Sequence, residues 1–385
     1  MTLVLLSGIG ALSMNVFLPS LPGMARDFDV DYSVMQLSVT VYLAASAVVQ
    51  LLAGPISDRF GRRPVMLGAL ALFLLATLGT LLAPSAQWFL AFRMMQAAIG
   101  AGMVLARAVV RDMVAGDAAA SRIGYVTMGM SVIPMLAPVL GGLLDEAFGW
   151  RANFAMLLAA GAAGWVIAWA DMGETARGGG LSFGAQLRSY PVLARSGAFW
   201  GYALAATFSS GAFFAYLGGA PFVGETVFHL RPAEVGYWFA APSIGYLAGN
   251  FLSGRYAARV GLDRMVLIGA AVTVLPLAVA TVADLTGLLR PLVFFGAIAV
   301  MGLGNGLVLP SANTGMMSVR PDLAGTASGM GGALAVAGGA AMAALAGQFL
   351  VPGAGATPLL FIMTLSGAAA LTAILAVRVG TRKPG

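Results

Sequence analysis

Gly54-Pro55-Ile56-Ser57-Asp58-Arg59-Phe60-Gly61-Arg62-Arg63 is a charged turn between two apolar runs, residues 34–55 and 65–83, and that setting decides the fold. Each run is close to the roughly 20 residues that cross the hydrocarbon of a bilayer, so the stretch reads as the connection between two membrane-spanning helices. Gly54 permits close helix approach, Gly61 permits a turn with positive φ, and Arg59, Arg62 and Arg63 anchor to anionic headgroups. Asp58 is the odd residue. An acid in a basic loop either pairs with a neighbouring arginine or caps a helix N-terminus, giving a contact that one conformation makes and another breaks. The alternative is a plain solvated loop.

Outward from this turn the apolar pattern fills the chain. Runs long enough to span fall at 2–25, 34–55, 65–83, 88–110, 124–145, 151–171, 199–223, 236–254, 265–286, 291–314, 324–350 and 357–377. They predict twelve helices and an all-α membrane protein. Composition agrees: 21 basic and 15 acidic side chains among 385 residues are far below the soluble norm of about 25% charged, too few to cover a globule in water. The first run starts almost at Met1 with no basic n-region and exceeds a signal-peptide core, so it is read as a retained span. The absence of cysteine excludes disulfides, thiolate nucleophiles and cysteine metal sites. The single histidine, His229, sits in a predicted loop, so neither a histidine triad nor a zinc site can be assembled. No enzymatic activity, cofactor or metal is expected.

Short loops record the cost of moving cations across the membrane. With the N-terminus inside, sixteen basic residues fall on the cytoplasmic side, four (Arg26, Arg151, Arg231 and Arg290) fall outside, and Arg93 alone lies within a run. The net charge of +6 is thus accounted for by topology, which excludes nucleic acid as a partner. The expected location is the inner (cytoplasmic) membrane, multi-pass, with both termini cytoplasmic.

The longest polar stretch, 173–198, divides the runs six and six, giving an N-terminal bundle at 1–172, a cytoplasmic linker at 173–198, a C-terminal bundle at 199–378 and a tail at 379–385. A repeat crosses the linker. Gly54, Arg59 and Gly61 recur as Gly254, Arg259 and Gly261 at a shift of 200, and IGAGMVL at 99–105 resembles LGNGLVL at 303–309 at a shift of 204. Two echoes at nearly equal offsets favour duplication, and parallel halves around one site are a transporter arrangement.

The decapeptide matches the GxxxDRxGRR signature of the major facilitator superfamily, which the chain resembles over essentially its whole length. Arg93 and Gln96 in FRMMQAAIGAG resemble the fourth-helix motif of its drug/proton antiporters. Ala137-Pro138-Val139-Leu140-Gly141-Gly142 resembles their fifth-helix GPxxGG motif, with Ala137 in place of the first glycine. Phe17-Leu18-Pro19-Ser20-Leu21-Pro22 and Ala106-Arg107-Ala108-Val109-Val110-Arg111-Asp112 look like the bicyclomycin/chloramphenicol-resistance branch. The resemblance implies twelve transmembrane helices in two pseudo-symmetric six-helix bundles around a central cavity. It also implies a monomer in membrane lipid exporting small amphipathic drugs by alternating access in exchange for protons. A physiological metabolite as cargo, or a facilitative carrier or channel without proton coupling, are the alternatives.

Candidate substrate-binding residues are Asn15, Tyr42, Arg93, Gln96, Phe213, Tyr246 and Asn305. The gating candidates are Gly54, Asp58, Arg59, Gly61, Arg62, Arg63, Pro138, Gly141 and Gly142. A charge within a span is costly enough to be a functional candidate by default. Against this, Arg93 lies five residues after Trp88, about 7.5 Å along a helix, within reach of snorkelling to the outer interface. The resemblance turns Arg93 to the cavity, with Gln96 sharing its hydrogen bonds. Phe213 and Tyr246, with Met128, Met130 and Met135, belong to a set of aromatics and soft methionines that suits apolar cargo of varied shape; lipid-facing packing is the alternative for each. Related transporters carry an aspartate where this chain has Asn15, which cannot titrate. Asp112, beside Arg107 and Arg111, is therefore the first candidate for proton coupling.

Overall fold

The computed structural model describes residues 2–113, 133–134, 136–175, 191–320, 323–351 and 353–380, and their regular structure is helical throughout. Met128, Met130 and Met135, residues 124–132 of the fifth run, 176–190 of the linker and 381–385 of the tail lie outside the described residues. In chain order the helices are α1 (Thr2–Asn15), α2 (Leu21–Asp27), α3 (Tyr32–Phe60), α4 (Arg62–Leu81), α5 (Ala86–Gln96), α6 (Gly100–Met113), α7 (136–148) and α8 (Arg151–Asp171). They continue with α9 (Gly197–Phe222), α10 (Pro232–Trp238), α11 (Ala240–Val260), α12 (Leu262–Leu285), α13 (Pro291–Val319), α14 (Ala324–Phe349) and α15 (Thr357–Gly380). Among the described residues ten helical stretches are long and apolar enough to cross a membrane. Helices α7 and α11 stand where the fifth and eighth runs are predicted; α11 is diluted by Asn250, Ser253, Arg255 and Arg259.

The chain forms two compact units, Met1–Phe183 with Pro232–Gly236, and Gly184–Arg231 with Tyr237–Gly385. In the first unit, α4 packs on α5 and α8, while α1 packs on α6 and α8. The first predicted run is not one straight helix: α1 stops at Asn15, a 3₁₀ turn covers Leu18–Ser20, and α2 follows. Pro19 causes the break, because it has no N–H for the Asn15 carbonyl and its ring crowds that carbonyl. Phe17 sits in the gap and packs on Phe154, which meets Phe89 and Trp150 edge to face. The fourth run tightens similarly at Ala97–Ile99, between α5 and α6.

In the second unit the closest crossing is built from glycine on both sides. A Cβ on Gly245 or Gly249 of α11 would lie 1.8 Å from the Ala299 carbonyl oxygen or 2.2 Å from that of Leu303. On α13, a Cβ on Gly302 or Gly306 would lie 2.1 Å from the Pro242 carbonyl oxygen or 2.5 Å from that of Tyr246. Two G-x-x-x-G ridges therefore bring the backbones together where any side chain would hold them apart. In lipid, where no hydrophobic force separates helix from solvent, such van der Waals contact is a main source of association.

The repeat read from the sequence has a backbone counterpart. Gly61 ends α3 with φ 95° and ψ 151°, and Gly261 ends α11 with φ 88° and ψ 147°. Each donates its N–H four residues back, to Ser57 at 3.0 Å and to Ala257 at 2.9 Å, and each is followed at once by a new helix. Positive φ is what makes glycine necessary at both.

The same substitution has opposite consequences at two glycines of α11 and α13. Gly302→Ala drives a methyl into the Pro242 carbonyl and is expected to cost about 1–3 kcal/mol or more. Gly254→Ala meets nothing within 4 Å and gains helix propensity. Thermal melts followed by size-exclusion chromatography should show early loss of the first and wild-type or better survival of the second.

Candidate functional site

The turn between α3 and α4 is held from three directions. Arg62, the first residue of α4, reaches back to Asp58 (Nη1 to Oδ1, 2.6 Å) and across to Asp112 at the end of α6 (Nε to Oδ2, 3.0 Å). Its side chain is mostly buried between them, and it also contacts the Ser57 hydroxyl. The start of α4 is covered by Glu174. One carboxylate oxygen accepts from the Arg62 N–H at 2.8 Å and the other from the Arg63 N–H at 3.2 Å. An anion over the free N–H groups of a helix start is favoured by their shared dipole. Arg63 donates to the Trp169 carbonyl at 2.8 Å, and Arg59 lies over the Phe60 ring at 5.4 Å.

One expectation needs correction here. Gly54 is not a site of close helix approach, since a Cβ there would meet nothing within 4 Å; its carbonyl instead accepts from the Ser57 hydroxyl. Asp112 is held by Arg62, fifty residues earlier, and the side chains of its sequence neighbours Arg107 and Arg111 lie outside the described residues.

Arg93 is completely buried although Trp88, five residues before it, is 58% exposed. The side chain therefore turns inward and does not snorkel. Nη1 donates to Ser13 Oγ at 3.1 Å and to Gln96 Oε1 at 2.8 Å, and Nη2 donates to the Ser13 carbonyl at 2.8 Å. That carbonyl is available because α1 ends just after it. The Phe17 and Tyr42 rings lie 4.3 and 4.2 Å from the guanidinium carbon, each cation–π contact contributing about 0.5–2 kcal/mol. Among the described residues, none of these contacts carries a negative charge.

Gln96 is fixed from behind. Thr77 and Thr80 give their hydroxyl protons to the backbone carbonyls of Phe73 and Thr77 and so can only accept from Gln96 Nε2, at 2.9 and 3.4 Å. The amide oxygen is thereby left facing Arg93. Asn15 is buried but spends its amide on the Ala11 carbonyl at 2.7 Å, one turn back in α1, with no bond to Arg93.

In α7, a Cβ on Gly141 would lie 1.6 Å from the Val16 carbonyl oxygen, so α7 closes against the break after α1. Pro138 and Gly142 meet the segment Pro232–Gly236: the Pro138 carbonyl oxygen is 2.5 Å from a Cβ built on Gly236, and that of Pro232 is 2.4 Å from one built on Gly142. In the second unit Asn305 is buried and accepts from Ser209 at 2.5 Å. The Phe213 ring lies tilted against those of Phe214 and Tyr216, with centroids 5.9 and 6.3 Å away, and Tyr246 is half-buried on α11. Of the seven binding candidates, the structure brings Tyr42, Arg93 and Gln96 together.

Sequence reasoning missed Ser13, Thr77, Thr80 and Glu174. The first three look like ordinary small polar residues of membrane helices. Glu174 carried a usable signal: an acid at the end of a span, beside a polar stretch, in a protein whose basic turns need anions.

Residues 3–344 match the Major Facilitator Superfamily. The multidrug resistance protein D of Escherichia coli (strain K12) is 32% identical over 95% of this chain and 92% of its own length. The chloramphenicol resistance protein of Pseudomonas aeruginosa is 31% identical over 83% of this chain and 76% of its own. Among solved structures, a bacterial homologue of the human lysosomal transporter Spinster, inward-facing and occupied, superposes with a TM-score of 0.79 at 17% identity, over 99% of this chain and 96% of that one. At that identity the likeness concerns the fold.

If the threonines fix the Gln96 amide, the double variant Thr77→Val, Thr80→Val leaves its buried N–H groups unpaired, at a cost of about 1–3 kcal/mol. The melting temperature should fall by several degrees. An unchanged melt would show that Gln96 is held by Arg93 alone.

Proposed function

Because the chain belongs to the major facilitator superfamily, and so is a multi-pass membrane transporter of small molecules and not an enzyme, we propose that it exports small amphipathic drugs across the inner membrane by alternating access. The observation that carries this reading is similarity running almost end to end with a protein named for multidrug resistance. In the same reading both termini are cytoplasmic, as the arginine distribution favours, the protein works as a monomer in membrane lipid, and 173–198 links bundles at 1–172 and 199–378. The tail at 379–385 follows the second bundle.

The two clusters of the first unit divide the work. Tyr42, Arg93 and Gln96 bind cargo, with Asn15 lining the approach; Phe213, Tyr246 and Asn305 are the cargo-binding candidates of the second unit. Asp58, Arg62 and Asp112 form a latch whose ion pairs hold in one conformation and open in another. Gly61 provides the turn, Arg59 and Arg63 anchor it, and Pro138, Gly141 and Gly142 set how closely α7 approaches its neighbours.

Proton exchange runs through Asp112. Protonation removes the charge that holds Arg62 Nε and leaves Arg62 to Asp58, which couples proton uptake to the latch. A second reading, facilitated transport without protons, is favoured by one observation: Asn15 is uncharged and its amide is already bonded to Ala11.

Cells expressing the protein should withstand higher concentrations of chloramphenicol and other amphipathic antibiotics, and Asp58→Asn should reduce that protection while leaving drug binding intact. In proteoliposomes, an inward proton gradient should drive chloramphenicol against its own gradient. Asp112→Asn should remove the uphill component and spare downhill flux. Loss of protection in wild-type cells would sink the export reading. Downhill flux alone, however steep the proton gradient, would establish the facilitator.

A further inference from the structure

Arg93 is a fixed positive charge in the interior of the first unit, and the described residues of that unit do not balance it. The described acids stand at helix ends or in loops: Asp58 and Asp112 are taken up by Arg62, and Asp27 by Arg151 and Trp150. Around Arg93 are two rings, a serine and an amide, all neutral. Arginine does not shed its proton at any relevant pH. The cluster therefore stabilises a cation without cancelling its charge.

The hydrogen-bond pattern shows which part of the guanidinium is spoken for. The group presents five N–H donors in a planar fork. The pair at its tip grips Ser13, through Oγ and the carbonyl, and the other Nη1 proton goes to Gln96. The flat faces are covered by Phe17 and Tyr42. Nε is buried with no partner, and Nη2 makes one recorded bond of the two it can donate. What remains is the Nε and Nη2 edge, two parallel N–H groups in the spacing that receives both oxygens of a carboxylate.

We propose that the cargo of this exporter carries a carboxylate or a similar planar oxyanion, and that the unfilled Nε and Nη2 edge of Arg93 receives it. This rests on the export reading above and narrows its substrate class to acidic amphipathic compounds. Cationic cargo is disfavoured at the same place, since a second positive charge beside a desolvated first is repelled more strongly than in water.

The test uses two dyes on one xanthene frame, fluorescein as the anion with a free carboxylate and rhodamine 6G as the cation with its carboxylate esterified. Binding to the purified full chain in nanodiscs is followed by fluorescence polarisation. The wild type should bind fluorescein about tenfold or more tightly than rhodamine 6G. Arg93→Gln should erase the preference. Because that variant removes three buried hydrogen bonds, Gln96→Glu serves as the second: it keeps the shape of the side chain that Nη1 bonds at 2.8 Å and supplies the missing negative charge from within, the Thr77 and Thr80 hydroxyls turning from the Phe73 and Thr77 carbonyls to donate to its second oxygen. It should stay monodisperse and lose the preference for fluorescein. The proposal is overturned if the wild type fails to bind fluorescein, if rhodamine 6G binds as tightly, or if Gln96→Glu keeps the anion preference. Transport separates this from the export reading. Export of rhodamine 6G that survives Arg93→Gln overturns the acidic cargo and leaves drug export standing. Selective fluorescein binding with no transport of fluorescein or chloramphenicol removes export and leaves the anion site.

Discussion

A guanidinium sealed from water has to be solvated by the protein, and much of the first unit is arranged around that requirement. An unsupported charge at membrane depth is among the most costly features a helix bundle can hold. The break that Pro19 enforces ends α1 within two residues of Ser13, whose carbonyl turns to Arg93. The same break drops Phe17 onto one face of the group. Gln96 faces it because Thr77 and Thr80 have no protons left to offer. Remove the charge and none of these placements has a reason.

The two halves share a backbone device and use it differently. Gly61 and Gly261 adopt the same left-handed turn between successive helices. Past the turn the chemistry diverges: Arg62 and Arg63 correspond, at the shift of 200, to Leu262 and Asp263. Glu174 sits so close to Gly61 that a Cβ would lie 2.4 Å from its carboxylate, while the same atom on Gly261 meets open space. In the second unit Asp263 bonds the Tyr202 hydroxyl, so an acid now occupies the place of a base and takes a neutral partner. The turn that sterics demand is common to both, and the ion pairs of Arg62 with Asp58 and Asp112 belong to the first.

The helices were legible because the bilayer permits few solutions: a long apolar run must be helical to satisfy its own backbone, and predicted and observed boundaries agree within a few residues for most spans. The break in the first run was also written, in Pro19 and Pro22, yet its consequence was not. That a freed carbonyl would meet Arg93, eighty positions later in sequence, depends on how α5 packs against α1. Asp112 teaches the same lesson: it meets Arg62, fifty positions earlier in sequence, and no local signal around it names that partner. Gly54 misled because a glycine tells only that a side chain is absent, and open space satisfies that as well as a tight crossing does.

Charge placement finally separates two tasks that a single acid often combines. A carboxylate beside the cargo site would let proton and cargo compete directly for one group. Here the buried polar cluster holds a cation that keeps its proton, and the described acids of the first unit stand at helix ends or in loops. On the proposed reading, a proton at Asp112 therefore does not compete with cargo at Arg93; it acts by loosening Arg62 and shifting the balance between conformations. A carrier built this way would have its energy coupling in the ion pairs of the turn and its selectivity in the core, so that the turn sets how strongly the gradient is felt and the core sets which molecules feel it.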